Sequence, residues 1–302
     1  MRRKLIRQGS STLTVSIPKG WASSNRLSAG DEVEVSVGGK EIRLSIAPGS
    51  GKRPVALDVS SLPAVLVRAT INAHYIRGEE ELRVKCAKSQ HATIHSAVDN
   101  LIGMAIVEQQ PALCVVRDVT SPGDVEVSAL IRRIYRMSLD LAEECHADIE
   151  LMSSGKEALT TAEQAAERDV GINRFVHFTL RQLLRQAVLD AREASACFHL
   201  VLLIELVADE YTNLWKDILA PGVEIGKPAL ALYRQALSMT RTFYDLLYKY
   251  DAAEAAAVSH TKAIVRGQVA EGKDLPPALA FHLRKIAELS VNLLQAQLLL
   301  SL

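Results

Sequence analysis

The N-terminal fold is decided by residues 3–35, RKLIRQGSSTLTVSIPKGWASSNRLSAGDEVEV. Apolar residues recur at every second position on both sides of a polar turn, and this period predicts strands over residues 3–8 and 12–17. Pro18 cannot extend the second strand, and its fixed φ permits a short helix around Lys19–Ser24. The segment therefore begins as a hairpin that is followed by a short helix.

A second pair of strands follows. Val33, Val35 and Val37 alternate with polar residues, a tight turn is predicted at Gly38-Gly39, and residues 42–46 form the fourth strand. Four short strands bury too little apolar area to be stable alone. We therefore expect this unit to fold by intertwining with a second copy of itself.

Basic residues are concentrated in the same segment. The whole chain balances 35 Lys and Arg against 35 Asp and Glu, yet positions 1–30 contain no acidic residue. The basic residues of this stretch are Arg2, Arg3, Lys4, Arg7, Lys19 and Arg26. A local excess of positive charge is typical of a nucleic-acid-binding surface, and a solvated basic arm has the same composition. Charge alone leaves both interpretations open.

The composition is that of a globular protein with several domains. A chain of 302 residues, 48% of them apolar, is long enough for two or three hydrophobic cores. A content of only 5% aromatic residues favours helical structure. No stretch predicts a leader or a membrane span. The four cysteines form no CxxC pair and are predicted to be buried thiols in a reducing cytosol, which implies a cytoplasmic protein.

Residues 54–122 predict a second domain. The stretch 47–54 is rich in Pro, Gly and Ser and is predicted to be a linker. Its Gly-Ser-Gly-Lys is not a phosphate-binding loop, because Ile46 occupies the position where that motif requires glycine. From Val55 to Val119 the order strand, helix, strand, helix, strand, strand predicts a small α/β sandwich.

No complete catalytic motif occurs in the chain. His91 and His95 are one helical turn apart, but Ala92 replaces the glutamate of a zinc-protease motif, so an exposed helix start is favoured over a metal clamp. Ser153-x-x-Lys156 lacks the companion motifs of acyl enzymes. These observations predict that the protein is not an enzyme.

Residues 123–302 predict an all-α domain. Helical periodicity begins after the Ser121–Gly123 turn, and apolar residues from Cys197 to Trp215 follow heptad spacing. Ala220-Pro221-Gly222 divides six predicted helices into two sets of three, with repeats over residues 125–218 and 226–301. The predicted fold is thus multi-domain α+β, with a β head, a small α/β sandwich and a pair of three-helix bundles.

The first segment resembles the AbrB/MazE/SpoVT family of swapped-hairpin DNA-binding domains. The resemblance covers residues 2–46 and is carried by Gly9-Ser10, Ile17-Pro18-Lys19, Leu27 and the Gly30-Asp31-x-Val33 turn. It implies a swapped-hairpin β-barrel over residues 1–48 that forms a homodimer and binds double-stranded DNA, with basic side chains neutralising phosphates. The residues implied at the DNA surface are Arg2, Arg3, Lys4, Arg7, Ser10, Ser11 and Lys19.

The helical segment resembles PhoU, the phosphate-uptake regulator built from two three-helix bundles. The resemblance is carried by two ExxxD-like motifs, Glu205-x-x-x-Asp209 in the third helix and Glu288-x-x-x-Asn292 in the sixth. The attachment of such bundles to an AbrB-like head resembles archaeal PhoU-type transcription regulators.

The same resemblance implies a metal site. Two carboxylates at i, i+4 lie on one helix face, where a bridging cation relieves their repulsion. The implied ligands of a divalent ion, or of an iron or zinc ion, are Glu205, Asp209, Asp169 and Glu288. Asn292 and Asn173 occupy positions where the family has carboxylates, which removes charge from a hard-cation site. An ordinary salt-bridged helix face has the same residues, and both interpretations stay open.

Together these features predict a DNA-binding transcriptional regulator of phosphate uptake or homeostasis. The helical bundles would act as the sensing or partner-binding part, with a phosphate transporter or sensor component as partner. The alternative is a regulatory adaptor that binds a transporter or sensor through its bundles and uses the head only to dimerise. The two hypotheses differ in whether Arg2, Arg3, Lys4 and Arg7 contact DNA.

Overall fold

The computed structural model describes residues 2–38, 41–46, 54–120, 125–185, 191–272 and 275–301. Contacts divide the chain into two compact units, Met1–Lys52 and Arg53–Leu302. Gly39 of the predicted Gly38-Gly39 turn, nearly all of the predicted linker and the predicted turn at 121–123 lie outside the described residues. The fold is mixed α+β, with a small strand region at the N-terminus and a largely helical C-terminal region.

The N-terminal unit consists of two antiparallel hairpins and one short helix. Its elements are β1 (Ile6–Gln8), β2 (Thr12–Thr14), α1 (Lys19–Ser24), β3 (Val33–Gly38) and β4 (Glu41–Ile46). β1 pairs with β2 and β3 pairs with β4, in two separate two-stranded sheets. The first two strands are shorter than predicted, because the β1–β2 ladder extends only from the Ile6–Thr14 pair to the Gln8–Thr12 pair.

The residues of the N-terminal unit whose exposure the structure describes form no core within the single chain, since none of those between 2 and 46 is buried. Leu27, one of the residues that carry the resemblance of this unit, is only half-buried. The exposed apolar residues of the unit are Leu5, Ile6, Leu13, Val15, Ile17, Val35 and Ile42. Strand alternation therefore produces apolar faces that this chain leaves uncovered.

The second unit begins with a four-stranded sheet and two helices. In chain order these elements are β5 (Val55–Asp58), α2 (Ala64–Ile76), β6 (Glu81–Lys85), α3 (His91–Asp99), β7 (Met104–Gln110) and β8 (Leu113–Asp118). The strand order is β5-β6-β8-β7, with β5 and β6 parallel and the other pairs antiparallel. Alternate residues of β6, such as Leu82 and Val84, are buried together with Ile71 and Ile94 of the helices.

Six long helices complete the second unit. They are α4 (Val127–Ser153), α5 (Ala162–Arg185), α6 (Ala191–Ile218), α7 (Lys227–Leu246), α8 (Ala252–Glu271) and α9 (Pro277–Ser301). The first three contact one another in every pairing, and so do the last three. The two sets meet chiefly where α6 packs along α9. The predicted heptad stripe of α6, from Cys197 to Trp215, is buried in the common core.

An ion pair joins the sheet to the helices. Arg181 of α5 is buried and donates to the Asp118 carboxylate at the end of β8, with 2.8 Å between Nη2 and Oδ2. Arg181 also donates to the main-chain oxygen of Tyr75 and lies over the Tyr75 ring. Arg185 donates to the same carboxylate oxygen at 2.8 Å. No helix in the described parts of the chain has the length and hydropathy to cross a bilayer.

Candidate nucleic-acid interface and carboxylate cluster

The basic side chains of the N-terminus lie at the surface. Arg2, Arg3, Lys4 and Arg7 are exposed, and none of them forms an ion pair with another described residue. Arg7 lies in β1 opposite Leu13 of β2, so this guanidinium projects from the middle of the hairpin. These cations are accessible to an anionic partner.

The remaining residues that the sequence assigns to DNA lie at the surface, in the hairpin turn and at the start of α1. Ser10 and Ser11 form the exposed β1–β2 turn, which Gly9 enters with a φ of 74° that favours glycine. Lys19 is exposed at the first position of α1, directly after Pro18. The turn before β3 is fixed by Asp31, whose carboxylate accepts the Ser28 N–H at 2.7 Å.

A second site lies between α5 and α6, where three carboxyl groups come close together. Asp169 of α5 faces Glu205 and Asp209, which are one turn apart on α6. Asn173 donates to Asp169 at 3.1 Å between Nδ2 and Oδ2, and the Thr212 hydroxyl donates to the other oxygen at 3.4 Å. The structure thus brings together three of the four predicted metal ligands.

Burial and mutual repulsion change the protonation of this carboxylate cluster, which we define as Asp169, Glu205 and Asp209. Burial, followed by the charges of Asp209 and Asp169, raises the pKa of Glu205 to about 7. Burial, the Asp169 charge and a hydrogen bond with Asp169 raise the pKa of Asp209 to about 6. Both shifts favour the protonated form of these two carboxyls, because each charge is desolvated and faces other carboxylates.

The donor atoms of the cluster suit a hard divalent cation. All three side chains offer oxygen, and the Oδ1 atom of Asn173 beside them is buried without a hydrogen-bond partner. The three carboxyls do not, however, form a set with all ligand oxygens within 4.8 Å of one another, as judged across the described residues. A cation held here would offset the mutual repulsion of the three carboxylates.

Glu288 does not join this cluster through any described contact. It lies on α9 and pairs with Arg284 one turn before it, at 3.4 Å between Nε and Oε1. Its side chain is 41% exposed. For this residue the observed contact is the salt-bridged helix face that the sequence left open as an alternative.

The sequence did not reveal a charged network between α6 and α9. The buried Glu210 carboxylate contacts His282 Nδ1 at 2.7 Å and also pairs with Lys285. The other ring nitrogen of His282 lies 3.1 Å from Asp217. Glu210 and Asp217 are seven residues apart on α6, a spacing that places them on one face, but nothing in the sequence identifies α9 as the element they meet.

Comparison with known proteins supports an assignment for the N-terminal unit. Residues 6–54 match the family described as antidote-toxin recognition MazE, bacterial antitoxin. This match indicates DNA-binding or antitoxin-like regulation for that unit and confirms the AbrB/MazE resemblance of its sequence. No curated protein matches the chain. The resemblance of the helical region to PhoU has no support from the family match, which ends at residue 54.

Proposed function

We propose that the protein is a homodimeric, DNA-binding transcriptional regulator. The observation that carries the proposal is the N-terminal unit, which combines exposed, unpaired basic side chains with apolar strand faces that one chain leaves uncovered. The match to the MazE family over residues 6–54 supports the same interpretation of this unit. In this proposal the chain is a regulator and not an enzyme.

Dimerisation is the first step of the proposal. Leu13 of β2 and Ile42 of β4 are 61% and 70% exposed, and both belong to two-stranded sheets that are marginal by themselves in water. Pairing with a second copy covers these side chains and joins the hairpins into a larger sheet. The free energy gained is about 25 cal/mol for each Å² of apolar surface removed from water.

DNA binding follows from the dimer. A symmetric pair of units presents two sets of Arg2, Arg3, Lys4 and Arg7, which matches the twofold symmetry of many DNA sites. Lys and Arg bind phosphates with release of counterions, and an arginine reads guanine through two parallel hydrogen bonds. Ser10, Ser11 and Lys19 add donors near the same hairpin.

The proposal is tested by fluorescence anisotropy with genomic promoter fragments at several salt concentrations. We expect the variant Arg2→Ala/Arg3→Ala/Lys4→Ala to bind more weakly and with a shallower dependence on salt, because each lost phosphate contact lowers the slope of log K against log salt by about 0.9.

The matched control is Lys227→Ala/Lys249→Ala/Arg266→Ala, which removes three exposed cations from the helical region. We expect its salt slope to equal that of the wild type. Equal slopes for all three proteins would reject DNA contact by the N-terminal residues. In that case the adaptor that uses its head only to dimerise becomes the better hypothesis, as does an antitoxin-like unit that binds a protein.

We also propose that the helical region is the sensing part, with a role in phosphate homeostasis. The resemblance of its sequence to PhoU and the two sets of three helices support this role. In the carboxylate cluster Asp169, Glu205 and Asp209 would hold a divalent cation, which would supply positive charge between α5 and α6. The free, buried state of all four cysteines supports a reducing, cytoplasmic setting.

Sensing requires that an effector change DNA affinity, because a ligand shifts an equilibrium only by its differential affinity for the two states. The test repeats the anisotropy titration with inorganic phosphate, Mg²⁺ or Mn²⁺, for the wild type and for Glu205→Gln/Asp209→Asn. An effect of the cation that is absent in the double variant supports the cluster as the effector site. An effect of equal size in both proteins would reject it.

A further inference from the structure

Two cysteines and a histidine meet at one end of the α/β sheet. Cys86 directly follows β6, Cys114 lies in the neighbouring strand β8, and His91 begins α3. The two sulfurs are 4.0 Å apart. Both sulfurs and a ring nitrogen of His91 lie within 4.8 Å of one another, an arrangement of ligand atoms that recurs nowhere else among the described residues.

This group of side chains is removed from solvent. Cys114 is fully buried and Cys86 is 3% exposed. His91 is half-buried, and its Nε2 atom is buried without a hydrogen-bond partner. Buried ring nitrogens are nearly always paired, so the orphaned Nε2 of a histidine that stands beside two cysteines indicates a missing ligand. The half-buried face of His91 gives that ligand a route from the surface.

The chain holds the three ligands rigidly. Gln90 fixes the turn between Cys86 and His91, because its side chain accepts the Ala87 N–H at 2.9 Å and donates to the main-chain oxygens of Val59 and Leu62 at 2.8 and 2.9 Å. Cys114 is fixed by strand pairing, since it lies opposite Val84 in the β6–β8 ladder. Three separate elements therefore present their donor atoms to one point.

A further residue orients the His91 ring. The side-chain amide of Gln109 contacts His91 Nδ1 at 3.1 Å and His95 Nε2 at 2.7 Å. Half a turn of this amide lets its oxygen accept the Nδ1–H of His91, which leaves the Nε2 lone pair available to a metal ion. A hydrogen bond of this kind typically orients a metal-binding histidine.

We propose that Cys86, His91 and Cys114 bind one thiophilic closed-shell metal ion, Zn²⁺ or Cu⁺. Two thiolates that share an ion at about 2.3 Å lie about 3.8 Å apart at tetrahedral angles and about 4.0 Å apart at trigonal angles. The 4.0 Å between the sulfurs needs little or no adjustment to reach these values. Soft sulfur donors with one imidazole select these ions over Mg²⁺ or Ca²⁺. On binding, the two S–H bonds break, the protons pass to solvent and two metal–sulfur bonds form.

This proposal is independent of the carboxylate cluster, which offers oxygen donors only. His95 is not among its ligands, because His95 is exposed and turns its Nε2 towards Gln109. The spacing Cys86-x₄-His91 was visible in the sequence. The contribution of Cys114 was not, because it depends on the pairing of β6 with β8.

The first test uses the unmodified full-length protein without a metal-affinity tag. The reduced protein is titrated separately with Zn²⁺ and with Cu⁺, the bound metal is counted, and the loaded protein is studied by X-ray absorption. We expect one ion for each chain with two sulfur neighbours and at least one nitrogen neighbour. The ion that binds more tightly in competition with a chelator of known affinity identifies the native metal. A shell of oxygen and nitrogen alone, or binding of neither ion, would overturn the proposal.

The second test compares cysteine variants by Co²⁺ substitution. Cys86→Ser and Cys114→Ser should each weaken the sulfur-to-cobalt charge-transfer band and bind Zn²⁺ at least tenfold more weakly, and the double variant should lose the band. Cys197→Ser, which alters another buried thiol in the helical core, should keep the band and the affinity. An unchanged band in Cys114→Ser would overturn the proposal, as would loss of the band in Cys197→Ser.

The third test addresses Gln109, which touches the histidine and not the metal. Gln109→Ala should keep one ion for each chain and the same sulfur signal, with affinity lowered about tenfold to a hundredfold. A disulfide between Cys86 and Cys114 is the competing explanation for their closeness. Its formation in protein purified without reductant, together with no metal uptake by the reduced form, would contradict the metal site.

Discussion

At the scale of single residues, folding places the Glu205 carboxyl in surroundings that oppose its ionisation. The Glu205 side chain is desolvated between α5 and α6 and faces two further carboxyls, and these surroundings raise its pKa from 4.5 to about 7. An acid whose pKa is raised by folding lowers the stability of the folded state once the unfolded chain can release the proton. The penalty is absent below the unfolded pKa, grows as the pH rises from there to the folded value, and is complete above it.

Glu205→Gln should therefore stabilise the protein at alkaline pH. The amide keeps the shape of the side chain and removes the charge, so we expect the variant to be more stable than the wild type at pH 8 and nearly equal to it at pH 4.5. Urea unfolding at both pH values measures the difference. Glu288→Gln is the control, because that side chain is half-exposed and paired with Arg284. A gain for Glu205→Gln that does not change with pH would contradict the raised pKa.

At the scale of elements, the sheet and α5 are joined by one buried charged contact. Burial opposes ionisation of Asp118, but hydrogen bonds from Thr120, Arg181 and Arg185 outweigh it and hold the Asp118 pKa below its usual value. The Arg181 side chain is only 2% exposed, so solvent cannot replace a lost hydrogen-bond partner. The stability that this contact provides is present above the unfolded pKa of Asp118 and is lost in acid, as the pH falls through the lowered value.

Asp118→Asn should destabilise the second unit by about 3 kcal/mol, because it leaves the Arg181 charge buried without its counter-ion. The control is Asp58→Asn. Asp58 receives the same pair of hydrogen bonds from the residue two positions later, Ser60, but its partner Lys85 is exposed. We expect little change in the control, since exposed ion pairs add little to stability. Urea unfolding measures the loss in the free energy of unfolding for both variants. Equal losses would contradict the argument that the burial of Arg181 sets the size of the effect.

The contact between α6 and α9 contains the second charged network. Glu210→Gln removes the charge that faces His282 and Lys285, and we expect a loss of about 2 kcal/mol in the free energy of unfolding. Asp217→Asn is the matched control, because Asp217 contacts the other nitrogen of the same ring but is 50% exposed. A larger loss in Asp217→Asn than in Glu210→Gln would show that burial does not set the order of these effects.

At the scale of the whole molecule, the proposed dimer depends on the exposed apolar faces of the N-terminal unit. Leu13→Asp should prevent dimer formation and abolish DNA binding, because it places a charge on a face that a second copy must cover. Sedimentation velocity over a range of concentrations measures the mass in solution. Leu159→Asp is the control, since Leu159 is 82% exposed in the loop between α4 and α5. A Leu13→Asp protein that remains dimeric would exclude the N-terminal unit as the dimer interface.

The sequence by itself determined which segments form strands and helices, and it determined the resemblance of the N-terminal unit to the AbrB/MazE family. Alternation of period two specified the strands around Leu13 and Val35, and the heptad stripe from Cys197 to Trp215 specified the buried face of α6. These features depend on neighbours along the chain, so local periodicity reveals them. For the same reason the Glu205–Asp209 pair was visible as one turn of a helix.

Only the tertiary structure decided which distant residues meet. Arg181 and Asp118 are far apart in sequence, as are Glu210 and His282, and their contacts exist because α5 packs on the sheet region and α6 packs along α9. Cys114 joins Cys86 because β8 is inserted between β6 and β7. Non-local contacts depend on how whole elements pack, and no periodicity of a single segment encodes that arrangement.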